Sequence, residues 1–481
     1  MNACRSICWR RQFSLAAVLA VALSSSTARA DDPHRVERGK ELFVRAWAPF
    51  DEKSPKGDGL GPLFNAESCV ACHVQGGTGG AGPNEVNVQL LTLTAASNPS
   101  GHVQSVRTRL ARVHPAMLTR GGINSTIVLH RHSTERAYGP WRDHLLGMKS
   151  ESHGELNPLI RLVPLWVLSP FITPANRSAS HSTPLAFEGL EFELSERNTP
   201  ALFGAALVNA VSEKLLASLA RKQAQHFPGI AGRVPRSVDG RVGRFGWRGQ
   251  VSTVHDFVQN ACAVELGLQL PGRSQAASPI ADPFAAVGKQ FAERPAQAQA
   301  DMDASQVMDL MAYVASLPRP QQIRPKRAGA TSLSHEAGED IFNTIDCAAC
   351  HMRRVGRIDG IYSDLLLHDM GADLSDAAPA IPASGPRVRS GGYGGGSNVL
   401  PSSPGTPIAS SLAELRREWR TPPLWGVRDS APYLHDGRAA TLEEAIRAHG
   451  GEAEGVVTKF RELTAMERDS LLAFLDTLAA P

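Results

Sequence analysis

Two stretches of the sequence combine cysteine and histidine in one pattern, C-x-x-C-H, at 69–73 and 347–351. Two thiols three residues apart can form thioethers with the two vinyl groups of one porphyrin, and the adjacent imidazole then lies over the iron as its axial ligand. The pattern therefore predicts two covalently bound haem c groups. The residues predicted to attach and ligate them are Cys69, Cys72, His73, Cys347, Cys350 and His351.

Other uses of paired thiols explain this pattern less well. With 7 Cys and 16 His in 481 residues, one C-x-x-C-H arises by chance only about 0.003 times. A zinc site built from two C-x-x-C pairs gives no reason for a histidine after each pair. A thioredoxin-like pair needs a βαβ setting, which neither motif has. Disulfides within the two pairs are the remaining non-haem alternative.

The first 30 residues have the features of a secretory signal: a basic start, an apolar stretch too short to span a bilayer, and the small-x-small sequence ARA at 28–30. We therefore expect a periplasmic or otherwise exported protein that begins at Asp31, with a retained anchor as the alternative. Paired arginines at 10–11 leave the Sec and twin-arginine export routes both open.

Removal of the signal takes away Cys4, Cys8 and four arginines, which lowers the formal charge from +3 to −1. A nearly neutral chain without basic, aromatic-rich runs gives no indication of a nucleic-acid partner. No later run of 18 apolar residues predicts a membrane span. The remaining cysteine, Cys262, lies in an apolar helical pattern and is predicted to be a buried, unreactive thiol.

The chain contains an internal repeat of three motifs, which are G-[KE]-[ED]-[LI]-F, T-P-x-L-[FW]-G and D-G-R. The pairs lie at 39–43 and 338–342, at 199–204 and 421–426, and at 239–241 and 436–438. Each D-G-R leads to a threonine, Thr253 or Thr441, that is predicted to cap the next helix. Amphipathic helices are predicted to close the two copies at 303–317 and 464–478.

This order of elements predicts a mainly α fold, made of two fused cytochrome c-like domains with long loops and little β. The apolar runs at 127–129 and 162–168 are predicted to be short edge strands or loops. A long Gly, Pro and Ser-rich insertion spans 373–411. The expected organisation is a signal at 1–30, an enlarged N-terminal domain at 31–320, a linker at 321–328 and a C-terminal domain at 329–481.

Four further motifs give the chain a resemblance to the di-haem oxidoreductase family, whose members are described as peroxidases or thiol oxidoreductases. They are DGLGPLFN at 58–65, DLLLHDMG at 364–371, RTPPLWG at 420–426 and LHDGRA at 434–439. The chain is similar, more distantly, to bacterial di-haem cytochrome c peroxidases and to the di-haem enzyme of methylamine utilisation. The resemblance implies haem chemistry more firmly than it implies one reaction.

The sixth iron ligands decide whether such a protein is an enzyme or an electron carrier. For the second haem, Met370 and His435 are the candidate metal ligands, with a structural or propionate-binding role beside Arg438 as the alternative for His435. For the first haem, His130 and His132 are candidates, with ordinary structural histidines as the alternative.

In the distant peroxidases a Met or Tyr ligand precedes the T-P-x-L segment, but Glu418 and Trp419 occupy that place here. We therefore assign that ligand to no residue of this chain. Trp247, Trp419 and Trp425 are interpreted as core residues, with an electronic bridge between the haems as the alternative. No catalytic acid or base can be assigned from spacing.

The sequence thus favours an exported di-haem c-type cytochrome with peroxidase-like activity, in which one haem takes up electrons and the other acts on peroxide or another small substrate. The expected electron donor is a small redox protein, either a cytochrome c or a cupredoxin. An electron-transfer cytochrome without a substrate reaction of its own is the alternative.

Overall fold

The structure is a computed structural model. It describes residues 33–54, 57–96, 103–119, 122–147, 183–187, 189–237, 239–280, 300–323, 331–376 and 416–481. The predicted signal, the apolar run at 162–168 and most of the 373–411 insertion lie outside these ranges. No helix in the described ranges is both long and apolar enough to cross a membrane.

Helices form most of the regular structure in the described ranges. They are α1 Pro33–Val44, α2 Cys69–Cys72, α3 Val103–Val113, α4 Tyr138–Gly147, α5 Ala205–Asn209, α6 Glu213–His226, α7 Val254–Val264, α8 Ala304–Ser316, α9 Thr331–Thr344, α10 Leu442–Arg447, α11 Glu454–Glu462 and α12 Ala465–Leu475. Short 3₁₀ turns include Cys347–Ala349, Val427–Asp429 and Gly451–Ala453.

The strands are short except in one sheet. They are β1 Leu63–Phe64, β2 Val88–Ala96, β3 Leu118–Thr119, β4 Gly122–Ile123, β5 Thr126–Val128, β6 His132–Ser133, β7 Thr183–Phe187, β8 Leu190–Arg197, β9 Arg354–Val355, β10 Ile358–Asp359, β11 Leu367–Asp369 and β12 Glu418–Arg420. A four-stranded antiparallel sheet has the order β5-β2-β8-β7.

This sheet corrects the expectation of little β structure. Ile127 lies in β5, an edge strand as predicted, but β2 and β8 form a longer central pair that the sequence analysis did not identify. In β8 the apolar Leu190, Phe192 and Leu194 alternate with polar residues, which is the period of a half-buried strand. The sheet buries its apolar face in a cluster that includes residues of α3 and α4.

The closing helices form as predicted and pack against the helices that open each copy of the repeat. α8 packs against α1, and α12 packs against α9. Asp303 and Thr464 cap these closing helices in complete capping boxes. A large core surrounds the α1–α8 pair, and a smaller one surrounds the α9–α12 pair.

The repeated motifs adopt the same local structure in both copies. Thr253 and Thr441 are confirmed as N-caps, each accepting a hydrogen bond from the backbone N–H three residues later. In each D-G-R turn the arginine Nε donates to the aspartate carboxylate, at 2.6 Å for Arg241 and 2.7 Å for Arg438. The internal repeat is therefore present in the structure as well as in the sequence.

Candidate functional site

The first C-x-x-C-H motif lies on α2, whose single turn carries both cysteines. The Ser68 Oγ caps this turn by accepting a hydrogen bond from Ala71 N at 3.2 Å. His73 follows the helix, and its Nδ1 is 3.0 Å from the carbonyl oxygen of Gly80. Because a carbonyl only accepts, Nδ1 carries the proton and Nε2 is the nitrogen available to a metal.

The second motif has the same arrangement on a 3₁₀ turn. His351 Nδ1 donates to the carbonyl oxygen of Tyr362 at 3.1 Å. The phenylalanine of each G-x-x-[LI]-F block contacts the histidine of its own site, with ring centres 6.2 Å apart for Phe43 and His73 and 6.5 Å apart for Phe342 and His351. Both imidazoles are thus held in one tautomer and one orientation.

Burial controls the protonation of these groups. It lowers the pKa of His73 and His351 to about 4, so both rings are neutral at pH 7, the state that binds a metal. It raises the pKa of Cys69 and Cys72 to about 12. No cysteine in the described ranges forms a disulfide. Cys262 is buried on α7 with a pKa raised by burial, as predicted for an unreactive thiol.

A cavity adjoins each motif. The N-terminal cavity, of about 110 Å³, contains Cys69, Cys72 and His73 in its wall. The C-terminal cavity, of about 310 Å³, contains Cys347, Cys350 and His351. Both are lined mainly by apolar side chains, as a porphyrin requires.

One wall separates the two cavities. Asn198, Thr199, Pro200 and Leu202 line both of them, and so does Trp247. Thr199, Pro200 and Leu202 belong to the first T-P-x-L segment. The Trp247 indole donates to the carbonyl oxygen of Asn198 at 2.8 Å, which fixes the ring in this wall.

The other two candidate tryptophans lie on the C-terminal side only. Trp425 is buried in the wall of the C-terminal cavity, and Gly204 packs against its ring. Trp419 stacks on His435, with ring centres 3.6 Å apart and an angle of 13° between the planes.

Buried arginines give the cavities positive charge. Arg197 and Arg248 line the N-terminal cavity, and both donate to the carboxylate of Asp376. Arg420 lines the C-terminal cavity. Burial lowers the pKa of Arg248 and Arg420 to about 10, which leaves both charged at neutral pH. Two guanidinium groups against one carboxylate suit an anionic ligand group such as a haem propionate.

Glu265 is the titratable acid in the N-terminal cavity, immediately after α7. Its Oε2 accepts a hydrogen bond from Asn65 Nδ2 at 2.6 Å, and its buried Oε1 has no hydrogen-bond partner. Burial raises the pKa of this carboxyl group to about 7. A carboxyl group with this pKa can both accept and donate a proton near neutral pH. Sequence spacing alone did not identify it.

The candidate sixth ligands are distributed unequally. Met370 and His435 both line the C-terminal cavity. His130 and His132 line neither cavity. His130 Nε2 lies 2.9 Å from the Val264 carbonyl oxygen, and His132 is exposed on β6. Arg438 pairs with the aspartate of its own turn rather than with His435.

The structure adds a histidine that the sequence analysis missed. His449 lines the C-terminal cavity, and its ring centre lies 6.5 Å from that of His351. Its Nδ1 is 2.7 Å from the carbonyl oxygen of Ala445, so Nε2 is again the nitrogen without a proton. Burial lowers the pKa of His449. The residue belongs to no C-x-x-C-H motif, and only its position in the repeat could have indicated it.

A charged cluster lies beside Cys350. His368 Nε2 is 2.9 Å from the Asp364 carboxylate, and its Nδ1 is 2.7 Å from Glu452. The ligand atoms of Cys350, Asp364 and His368 lie within 4.8 Å of one another, as in some metal sites. Burial lowers the pKa of His368, but hydrogen bonds with Asp364, Cys350 and Glu452 outweigh it, so the net pKa lies well above 6.5.

Comparison with protein families identifies this arrangement. A family described as "Di-haem oxidoreductase, putative peroxidase" matches residues 176–397 and 410–478, which is more than half of the chain. The chain belongs to the di-haem oxidoreductase family. The predicted resemblance is therefore confirmed, and haem is the cofactor that the family implies. The matched ranges contain the second C-x-x-C-H motif, while the first lies N-terminal to them.

Two curated relatives match short parts of the chain. The cytochrome-c peroxidase IdrP1 of Denitromonas iodatirespirans is 39% identical over 67 residues, which is 13% of this chain and 18% of the relative. The methylamine utilization protein MauG of Methylorubrum extorquens is 36% identical over 75 residues, which is 15% of this chain and 21% of the relative. The chain thus spans about a fifth of the length of these relatives.

Two solved structures are also similar. A hydrazine synthase of Kuenenia stuttgartiensis is 17% identical with a TM-score of 0.28, covering 59% of this chain and 73% of that one. A MauG-like protein associated with microbial copper homeostasis is 18% identical with a TM-score of 0.27, covering 56% of this chain and 90% of that one.

The residues of both sites fit a haem. Each site combines two free thiols, a neutral imidazole with an anchored Nδ1, an apolar cavity and at least one buried arginine. Among the residues that the structure describes, the further group of side chains that could hold a metal ion is Cys350, Asp364 and His368, and it includes one of the cysteines of the second motif.

Proposed function

We propose that this chain is an exported di-haem c-type cytochrome with peroxidase-like oxidoreductase activity, built from two cytochrome c-like domains at 31–320 and 329–481. One observation carries the proposal: the cavities beside the two C-x-x-C-H motifs share lining residues, which are Asn198, Thr199, Pro200, Leu202, Gly246, Trp247 and Phe257. Reduction of one peroxide to two waters consumes two electrons and two protons. Two neighbouring redox sites match that demand.

Each haem would be attached by one cysteine pair. Cys69 and Cys72 would hold one group together with His73, and Cys347 and Cys350 would hold the other together with His351. When bound, haem supplies peroxide binding and one-electron chemistry at its iron. The protein supplies the fixed imidazole tautomer, since the Gly80 and Tyr362 carbonyl oxygens accept the Nδ1 protons.

Glu265 is the residue best placed to move protons in the N-terminal cavity. Cleavage of the O–O bond requires a proton to leave one peroxide oxygen and to reach the other. The free Oε1 of Glu265 can accept that proton while Asn65 holds the other carboxyl oxygen at 2.6 Å. The raised pKa, about 7, makes the return of the proton equally accessible.

The proposed electron donor is a small exported cytochrome c or cupredoxin. The substrate is hydrogen peroxide or another small molecule that reaches the N-terminal cavity. The names of the two curated relatives, a cytochrome-c peroxidase and a methylamine utilization protein, support a redox reaction in this family without selecting one substrate.

The test is to produce the whole chain in a bacterium that matures c-type cytochromes. We expect a mature protein that begins at Asp31 and carries the mass of two haems. The double variants Cys69→Ser/Cys72→Ser and Cys347→Ser/Cys350→Ser should each lose one haem. The two-haem protein should oxidise a reduced cytochrome c when peroxide is added. Two haems without peroxide-dependent oxidation would make the chain an electron-transfer cytochrome instead.

A further inference from the structure

Glu265 is held at three points by a short segment that precedes the first C-x-x-C-H motif. Asn65 N and Ala66 N donate hydrogen bonds to the Glu265 carbonyl oxygen, at 2.7 and 3.3 Å. The Asn65 side chain binds the carboxyl group of the same residue, since Nδ2 donates to Oε2 at 2.6 Å. Asn65 thus contacts both the backbone and the side chain of Glu265, which restrains the carboxyl group to one position.

The orientation of the Asn65 amide is determined by a further contact. Arg131 N donates to Asn65 Oδ1 at 2.9 Å. A backbone N–H group can only donate, so the amide oxygen faces Arg131 and the amide NH2 group faces Glu265. Asn65 is buried. Its amide therefore presents a donor, and never an acceptor, to the carboxyl group.

The segment that carries Arg131 is itself fixed by α4. Tyr138 Oη and Arg142 Nε both donate to the carbonyl oxygen of His130, at 2.7 and 3.0 Å. The His130 ring in turn donates from Nε2 to the Val264 carbonyl oxygen at 2.9 Å. Two consecutive residues, His130 and Arg131, therefore hold the end of α7, the first directly and the second through Asn65.

These contacts give the four-stranded sheet a role in the site. The segment follows β5, which pairs with the central strand β2. Leu129 N donates to the Gln89 carbonyl oxygen at 2.9 Å. The Arg131 guanidinium donates to the Asn87 carbonyl oxygen, just before β2, at 2.7 Å from Nη2 and 3.1 Å from Nε. The sheet thus supports the end of α7, where Glu265 lies.

The surroundings of Glu265 act in opposite directions on its pKa. Burial raises the pKa of this carboxyl group to about 7, while the hydrogen bond from Asn65 and the positive charge of Arg131 lower it. Of these two lowering effects, the hydrogen bond from Asn65 is the larger. Other charged or titratable side chains that line this cavity are Cys69, Cys72, His73, Arg197, Arg248 and Cys262.

We propose that Asn65 is a positioning residue for proton transfer: it holds Oε2 of Glu265 as a hydrogen-bond acceptor and so leaves Oε1 as the oxygen that takes up and returns the proton. The proton bound at Oε1 in the first transfer is the one released in the second, so Glu265 ends in the ionised form in which it began. This inference rests on the proposed function, because it needs a substrate that exchanges a proton with Glu265.

The first test measures the pKa of Glu265 without turnover. Infrared difference spectra of the ferric two-haem protein, recorded as the pH changes, show the carbonyl stretch of protonated carboxyl groups, and the part missing from Glu265→Gln belongs to Glu265. Asn65→Leu has nearly the wild-type size but donates no hydrogen bond. It should move the midpoint upward from about 7 by about one to two pH units, the equivalent of one hydrogen bond to a charged group. An unchanged midpoint would overturn the proposal.

The second test follows kcat/KM for peroxide against pH. In Asn65→Leu the acid limb should move upward by the same amount, and the rate on the alkaline side should fall by about 10–100-fold because the carboxyl group is no longer held in place. Asn65→Asp keeps an acceptor for Arg131 N but places a second carboxyl group against Glu265, so the limb should also move upward. Lower rates with the limb at the wild-type pH in both variants would show that Asn65 only supports the fold.

The matched control is Asn124→Leu. Asn124 lies between β4 and β5, and its Nδ2 donates to the Ala116 carbonyl oxygen at 2.7 Å, away from Glu265. This variant should keep the wild-type infrared midpoint and the wild-type limb. A shift as large as that of Asn65→Leu would contradict a specific role for Asn65. If Asn65→Leu does not fold, Asn65→Asp carries both tests.

These measurements separate the positioning role from the proposed function. An upward shift of the infrared midpoint in Asn65→Leu, without peroxide turnover by the wild type, would refute the peroxidase proposal and retain the control of Glu265 by Asn65. Peroxide turnover by the wild type, with a midpoint that Asn65→Leu does not move, would refute the positioning role and retain the peroxidase.

Discussion

Gly39 lies against the backbone carbonyl of Asp309 where α1 crosses α8, so closely that a Cβ atom on Gly39 would overlap the carbonyl oxygen. Gly338 has the same relationship to Ser470 where α9 crosses α12. The glycine of each G-x-x-[LI]-F block thus sets the distance between an opening and a closing helix. The phenylalanine four residues later then reaches the histidine of its own C-x-x-C-H motif.

We therefore expect Gly39→Ala and Gly338→Ala each to lower the free energy of unfolding by about 2 kcal/mol, since overpacking a helix contact forces the backbones apart. The matched control is Gly455→Ala in α11, where a Cβ atom meets nothing within 4 Å. That substitution should raise stability by about 0.5–1 kcal/mol, because alanine favours the helix. Denaturant unfolding of the three holoproteins measures the difference. Equal effects at Gly39 and Gly455 would show that the crossing is not tight.

Features encoded within a few residues could be predicted from the sequence. The repeated spacing around Gly39 and Gly338 and the N-caps at Thr253 and Thr441 are local patterns, and the structure contains them. The approach of His449 to His351 could not be predicted in this way. It depends on how far-apart segments pack, because a histidine in a loop carries no spacing signal for its partner.

The central sheet was missed for a related reason. β2 pairs with β8, and nearly a hundred residues separate them in the chain. The alternation of apolar and polar residues around Phe192 indicates a strand, but this pattern does not show which other strand it pairs with. The overlooked strand pair therefore reflects long-range pairing, whereas the short edge strand β5 was recognisable from its own residues.

His368 should contribute strongly to stability. Its protonated ring lies between the Asp364 and Glu452 carboxylates, and all three side chains are mostly or fully buried. His368→Gln removes the cation and leaves two carboxylates facing each other, so we expect a loss of about 3–5 kcal/mol in the free energy of unfolding. Denaturant unfolding at pH 7 measures it. A loss below about 1 kcal/mol, the range of an exposed ion pair, would contradict the buried triad.

The same triad predicts a direction for the pH dependence of stability. The folded pKa of His368 lies well above its ordinary value of 6.5, so its contribution is fully present below pH 6.5 and is lost as the pH rises through the folded pKa. Denaturant unfolding between pH 6 and 10 should show wild-type stability falling toward alkaline pH. The variant His368→Gln should have a shallower slope over that range; an identical slope would assign the titration to other groups.

Trp247 should connect the two haem sites. Its indole lines both cavities and is fixed by the hydrogen bond to Asn198. Trp247→Phe should slow the oxidation of the C-terminal haem by peroxide while both haem spectra keep their wild-type form. Trp425→Phe is the matched control, because Trp425 lines the C-terminal cavity only. Stopped-flow absorption measures the oxidation rate of each haem separately. Equal oxidation rates of the C-terminal haem in the two variants would show that Trp247 does not transfer electrons between the sites.

Glu265 should determine how peroxide turnover depends on pH. The carboxylate form must be present to accept the first proton, and burial raises its pKa to about 7, so kcat/KM should fall as the pH drops below about 7. Glu265→Gln has nearly the same shape but cannot accept the proton. It should lower kcat/KM by about 10²–10⁴-fold and abolish this limb of the profile, because this range is typical of lost general acid–base catalysis. Glu462→Gln, at the end of α11, is the control for loss of one acidic charge and should follow the wild-type profile. If kcat/KM of Glu265→Gln still fell below about pH 7 as in the wild type, another group would move the proton. If kcat/KM of this variant were low and independent of pH while the haem spectra stayed unchanged, Glu265 would carry out that step.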